Sequence, residues 1–202
     1  MNKLVAKITT IALHPIAMPS LLMLVLFNSG TLISFYPTSV KVRIFLLIFV
    51  YTLVLPLLML PIFLRQRLVK SIHMFNHTER IIPLLFAFLF YGFTVYTLMG
   101  IKGLSVVNMF MLASTIAVFV TMAISFFWKI SAHMVGMGGA TAFLLILNLR
   151  LGADFPSFII VTLLLSGLVG SARLSLDEHS PSQIYIGYLL GFVTMFIMFM
   201  II

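Results

Sequence analysis

Four side chains raise the chemical question in this sequence: Arg80, His133, Arg173 and His179. Phosphoryl chemistry needs fixed cations for oxyanion charge, a nucleophile, and an acid for the leaving group. The planar arginine fork matches phosphate oxygens better than the point charge of lysine. Histidine changes charge near neutral pH and serves as nucleophile or proton donor. Each of the four stands where an apolar run begins or ends. A lone arginine in such a place is ordinarily a snorkelling anchor. Two arginines and two histidines at similar depth make a phosphate site worth testing.

A metal is the competing chemistry. His73 and His77 lie four residues apart and would share a helix face, as zinc ligands can. No His-Glu-x-x-His pattern accompanies them, and the last polar turn, 173–183, carries a single histidine where seven-helix zinc hydrolases carry a pair. His73 and His77 read more simply as part of a solvated interfacial loop. No metal and no other cofactor is expected. There is no cysteine, which excludes thiolate and disulfide chemistry.

The elements that must position these residues are membrane helices. Of the 202 residues, 62% are hydrophobic and 8% charged. Soluble domains carry roughly 25% charged residues, so only lipid suits this surface. The expected fold is all-α, a polytopic transmembrane bundle of six to seven helices forming a single domain over 1–202. A span needs about 20 mostly apolar residues. Seven segments approach that length: 9–28, 42–64, 81–100, 106–127, 132–149, 156–172 and 184–202. The first is expected to be a retained helix, bent or broken around Pro15 and Pro19. Residues 65–80 are too polar to cross and too long for a tight turn, so a surface helix or ordered loop is expected there. Glycines 136, 138, 139, 187 and 191 are spaced for close helix packing. The net charge of +8 resides largely at helix ends. That placement is explained by headgroup anchoring and topology, so no nucleic-acid partner is expected.

Seven crossings divide the polar residues unevenly. One membrane face collects the N-terminus, 65–80, 128–131 and 173–183. All five histidines fall on or near it, with Glu79, Asp177 and Glu178. Asp154 alone among the acids lies on the other face. A site is therefore expected on the first face. That face also holds Lys3, Lys7, Arg65, Arg67, Lys70, Arg80, Lys129 and Arg173, against Lys41, Arg43, Lys102 and Arg150 opposite. By the positive-inside rule this face would be cytoplasmic. Setting aside Arg80, Lys129 and Arg173 as site residues nearly balances the two faces.

In order along the chain, these residues resemble the three motifs of the type 2 phosphatidic acid phosphatase superfamily. The third motif is Ser-Arg, five residues, His, three residues, Asp. Residues 172–191, ARLSLDEHSPSQIYIGYLLG, place Arg173 and His179 in register. The second, Pro-Ser-Gly-His, is matched by Ser131 and His133 within ISAHMVGMGGATAF at 130–143. The first, Lys, six residues, Arg, Pro, is matched by Arg80 within HMFNHTERIIP at 73–83. The resemblance covers a motif-bearing core of 73–191.

The resemblance implies roles for these positions. His179 would attack phosphorus and form a phosphohistidine. His133 would protonate the leaving oxygen. Arg80 and Arg173 would clamp the phosphoryl oxygens, helped by the Ser131 hydroxyl and the backbone N–H near Ala132. The substrate implied is a lipid phosphate or isoprenyl diphosphate whose tail stays among bilayer lipids. The setting implied is a bacterial inner membrane, with the site facing outward. Four departures accompany the match, the first being Ile130-Ser131-Ala132 in place of Pro-Ser-Gly. The motif lysine is His73, which would take its place at the phosphate. The motif Asp that orients the nucleophile is Gln183, which can hold the imidazole but adds no charge. An additional helical hairpin separates the first motif from the second. The alternative is a catalytically inactive relative that binds a lipid phosphate or serves a membrane complex.

Overall fold

The computed structural model describes residues 1–71, 76–101, 103–152 and 156–201. Its elements are nine α-helices with short 3₁₀ and π turns, and no strand occurs among the described residues. They are α1 (Lys3–Ala12), α2 (Met18–Phe27), α3 (Thr38–Phe49), α4 (Leu55–Arg65), α5 (Ile81–Met99), α6 (Ser105–Ile124), α7 (Ala132–Leu151), α8 (Pro156–Ser175) and α9 (Pro181–Met200). α1 joins α2, and α3 joins α4, so the helices make seven spans long and apolar enough to cross a membrane. The chain is an integral membrane protein. Its outer surface is apolar: Ile11, Leu164 and Phe127 are 75%, 70% and 88% exposed. Backbone groups facing such a solvent must bond within the segment, which is why the spans are helical.

Proline shapes the first two spans. Pro15 has no N–H to continue the ladder, and α1 ends at Ala12. His14 is extended and its Nδ1 accepts a weak bond from the Ile16 N–H at 3.4 Å, opening a 3₁₀ turn over Pro15–Ala17. Pro19, expected to share in the break, sits harmlessly in the first turn of α2. In the second span Pro56 deprives the Thr52 carbonyl of its donor. The chain responds with a π turn over Val50–Val54, in which Leu55 N–H reaches Val50 O.

α7 is the central span. Of its most apolar stretch 67% is buried, against 17% to 44% for the others. It crosses α9 at backbone distance. A Cβ on Gly138 would land on the Tyr188 carbonyl, and one on Gly191 on the Val135 carbonyl. The small residues legible in the sequence therefore serve this crossing. Gly138→Ala and Gly191→Ala are expected to destabilise by about 1–3 kcal/mol through forced backbone shifts. Gly92→Ala, with nothing within 4 Å, should leave the melting temperature in detergent unchanged. Equal melting of all three variants would contradict the crossing.

The two halves of the bundle differ in filling. Phe110, Phe143 and Phe199 pack as tilted rings with centroids 4.5 and 5.9 Å apart within a core that includes Ile33, Ile44 and Leu98. That core lies toward the face of the 28–37 and 99–104 connections. The other half, where α4, α6 and α8 end and α5, α7 and α9 begin, is partly hollow and contains the polar residues.

Candidate active site

Two helix endings build the polar end. α8 closes in a Schellman turn: Glu178 N–H bonds Arg173 O, and Asp177 N–H bonds Leu174 O. Asp177 takes the left-handed conformation at φ 54, which Asp tolerates better than most side chains. The turn folds Glu178 back on its own helix, where its carboxylate pairs with Arg173. α4 ends the same way, with Arg67 left-handed at φ 58. Residues 65–71 are thus an ordered helix ending, and His77–Arg80 form one 3₁₀ turn. His77 donates from Nδ1 to the Ser125 carbonyl at 2.9 Å, so it ties that turn to the end of α6. His73 and Asp154 lie outside the described residues.

The start of α9 fixes His179. Ser180 and Gln183 form a capping box, with Pro181 at the first helical turn. The expected start at 184 misses this S-x-x-Q signal. Gln183 Oε1 accepts the Ser180 N–H at 3.2 Å and lies 3.0 Å from His179 Nδ1. An oxygen that accepts a backbone N–H presents an acceptor to the imidazole as well. His179 must therefore carry its proton on Nδ1 and its lone pair on Nε2. That lone pair faces Arg80 Nη1 at 3.5 Å. Burial, then the charges of Arg80 and Arg173, lower the His179 pKa from 6.5 to about 3, so the ring is neutral at physiological pH.

Arg80 is held in place by a bond from Nη1 to the Ile130 carbonyl at 3.1 Å. Ile130 immediately precedes Ser131, and Ser131 N–H donates to the Gln183 carbonyl at 3.3 Å. The starts of α5, α7 and α9 are thereby joined. Ser131 precedes α7 without capping it. Its hydroxyl is buried with no hydrogen-bond partner among the described residues, as is Arg173 Nε. The first N–H groups of a helix have no partner within it, so the start of α7 presents donors suited to an anion. Lys129 joins the cations. Burial first, then Arg80, lower its pKa.

His133 donates from Nε2 to the Thr10 carbonyl at 3.1 Å. The break at His14 frees that carbonyl from the α1 ladder. His14 itself stands edge-on to His133, with ring centroids 5.0 Å apart. Arg173 is 6% exposed and lies within electrostatic reach of His14, Arg80, His133 and His179.

A cavity of about 460 Å³ opens among these groups, lined by His14, Arg80, Ala132, His133, Arg173 and Glu178 together with apolar side chains. Arg80, His133 and Arg173 thus share one cavity. His179 is held by Gln183 with its Nε2 against Arg80 and is not among the residues that line the cavity. Glu178 is directed to Arg173. His14 was missed as a site residue. Its signal is visible in the sequence: a histidine before proline inside an apolar span, where an ionisable group is costly and points to function. Among the described residues no three His, Asp or Glu side chains are grouped to hold a metal. No family model matches the chain, and no curated protein or solved structure does so either.

Proposed function

We propose that this is a metal-independent membrane phosphatase, divergent from the type 2 phosphatidic acid phosphatases. It acts on a lipid phosphate or isoprenyl diphosphate in a bacterial inner membrane. The observation that carries the reading is the His179 tautomer. Gln183 holds the proton at Nδ1 and leaves the Nε2 lone pair beside Arg80. Nε2 attacks phosphorus, the P–O bond to the lipid breaks, and the departing oxygen takes a proton from the imidazolium form of His133, which returns to the neutral ring. His133 Nε2–H stays on the Thr10 carbonyl, so the proton transferred is the one carried on Nδ1. Water then attacks the P–N bond, His133 accepts its proton, and inorganic phosphate leaves. Arg80 and Arg173 meet the charge on the phosphoryl oxygens, with Ser131 and the first N–H groups of α7 adding donors.

Gln183 also favours a second reading. A neutral amide cannot stabilise an imidazolium as a carboxylate does, which suits an inactive relative that holds a lipid phosphate without turnover. The test is phosphate release from a prenyl diphosphate and a lipid monophosphate by the purified protein in detergent with EDTA. Release that persists in EDTA, with an acid-labile phosphorylated protein trapped on quenching, is the expected result. Saturable lipid-phosphate binding without release selects the second reading. Release abolished by EDTA and restored by a divalent metal overturns the metal-independent chemistry.

A further inference from the structure

We infer that the cleft between α1 and α4 binds the hydrocarbon chain of a single-chain lipid phosphate, which enters sideways from the bilayer. The headgroup assignment rests on the proposed phosphate site. The chain assignment rests on the packing of the first two spans.

α1 packs on α8, whereas α4 packs on α5. Near their inner ends the 3₁₀ turn Pro15–Ala17 meets the π turn Val50–Val54. The two proline-driven breaks thus close the bottom of the cleft. Between α1 and α4 lies the 460 Å³ cavity, with Ile11 on one wall and Leu57, Leu60 and Phe63 on the other. Ile11 and Leu57 are 75% and 48% exposed, so the outer lip meets lipid. A second apolar pocket of about 110 Å³ shares Pro15, Ile16, Leu84, Ala87, Thr121 and Ala132 with the cavity. The two spaces therefore lie side by side against the same side chains. The inner pocket reaches Tyr91, Phe110, Gly139 and Met195, where the filled half of the bundle stops it. Gly136 and Gly139 line that space. A Cβ on Gly136 would touch Pro15 at 3.4 Å, and one on Gly139 would come within 3.7 Å of the Gly191 carbonyl.

Charge complements this shape. Arg80, Arg173 and Lys7 line the cavity together with His14, His133 and Glu178, whose carboxylate is paired with Arg173, and the inner pocket beyond is mostly apolar. An amphiphile with an anionic head and one slender chain satisfies both ends at once. At about 110 Å³ the inner pocket is small enough to favour the end of one chain over two chains side by side.

A photoreactive benzoylphenylalanine at Leu60 tests this in nanodiscs containing a labelled prenyl monophosphate. The same residue at Leu58, 58% exposed and absent from the cavity lining, reports ordinary lipid contact. The expected result is labelling at Leu60 at least about tenfold above Leu58, competed by unlabelled prenyl monophosphate and not by the corresponding prenyl alcohol. Equal, uncompeted labelling at both positions overturns the cleft. The readout needs no turnover. Competed labelling at Leu60 in a protein that releases no phosphate would sustain the chain site while refuting the phosphatase.

Discussion

His179→Ala is expected to lower phosphate release from a lipid phosphate by on the order of 10⁵- to 10⁶-fold. Removing a nucleophile that acts as part of a catalytic set has an effect of that size. The variant should remain folded. The capping bond from Ser180 N–H to Gln183 Oε1 does not involve the imidazole, and the α7–α9 crossing lies further along the helix. Melting within a few degrees of the parent protein, together with retained prenyl monophosphate binding, would assign the loss to chemistry. A variant that still turns over within tenfold of the parent would remove His179 as nucleophile.

Gln183→Glu should act in the opposite direction and raise turnover by up to about 10⁴-fold, the reverse of what replacing a carboxylate by its amide does in a serine protease. Glutamate rather than aspartate is the informative substitution. It keeps the reach of the glutamine side chain, so it can still accept both the Ser180 N–H and the His179 Nδ1–H. It also preserves the capping box, which takes Glu or Gln at this position. Its new charge falls at a helix start near Arg80, Lys129 and Arg173, where a carboxylate is favoured. The pH profile gives an independent readout. The reactive form of His179 is neutral, so activity is present above its pKa and is lost as pH falls through it. With that pKa lowered to about 3, the acid limb from His179 in the parent protein lies near pH 3. A carboxylate at 183 favours the imidazolium, and the limb moves upward toward neutrality. Faster turnover with an unmoved limb would show that the gain does not pass through His179.

The seven spans and the shared polar face were legible because both follow from composition and alternation. A run of some 20 apolar residues has one solution in lipid, and seven crossings place Arg80, His133, Arg173 and His179 together. Helix ends were less legible. α9 begins at Pro181 and α1 at Lys3, because capping and interfacial lysines extend helices past their apolar stretch. The destination of Glu178 was not legible at all. It depends on Asp177 turning left-handed, which a string of residues does not announce. The bond from His133 to Thr10 also lay beyond sequence spacing, since it joins residues far apart through a carbonyl that loses its helical partner where the chain turns extended at His14. His14 was counted among the five histidines of the site face but given no role in the site.

The glycine seam between α7 and α9 has a consequence for biogenesis. A chain inserts from its N-terminus, so α7 enters the bilayer before its glycine-faced partner exists. During that interval its exposed backbone faces lipid or a holding factor, and neither His179 nor Gln183 has been delivered to the cations already in place. A pulse-chase of protease accessibility should therefore show one late consolidation step, coincident with docking of the final helix, and ligand binding should begin only then.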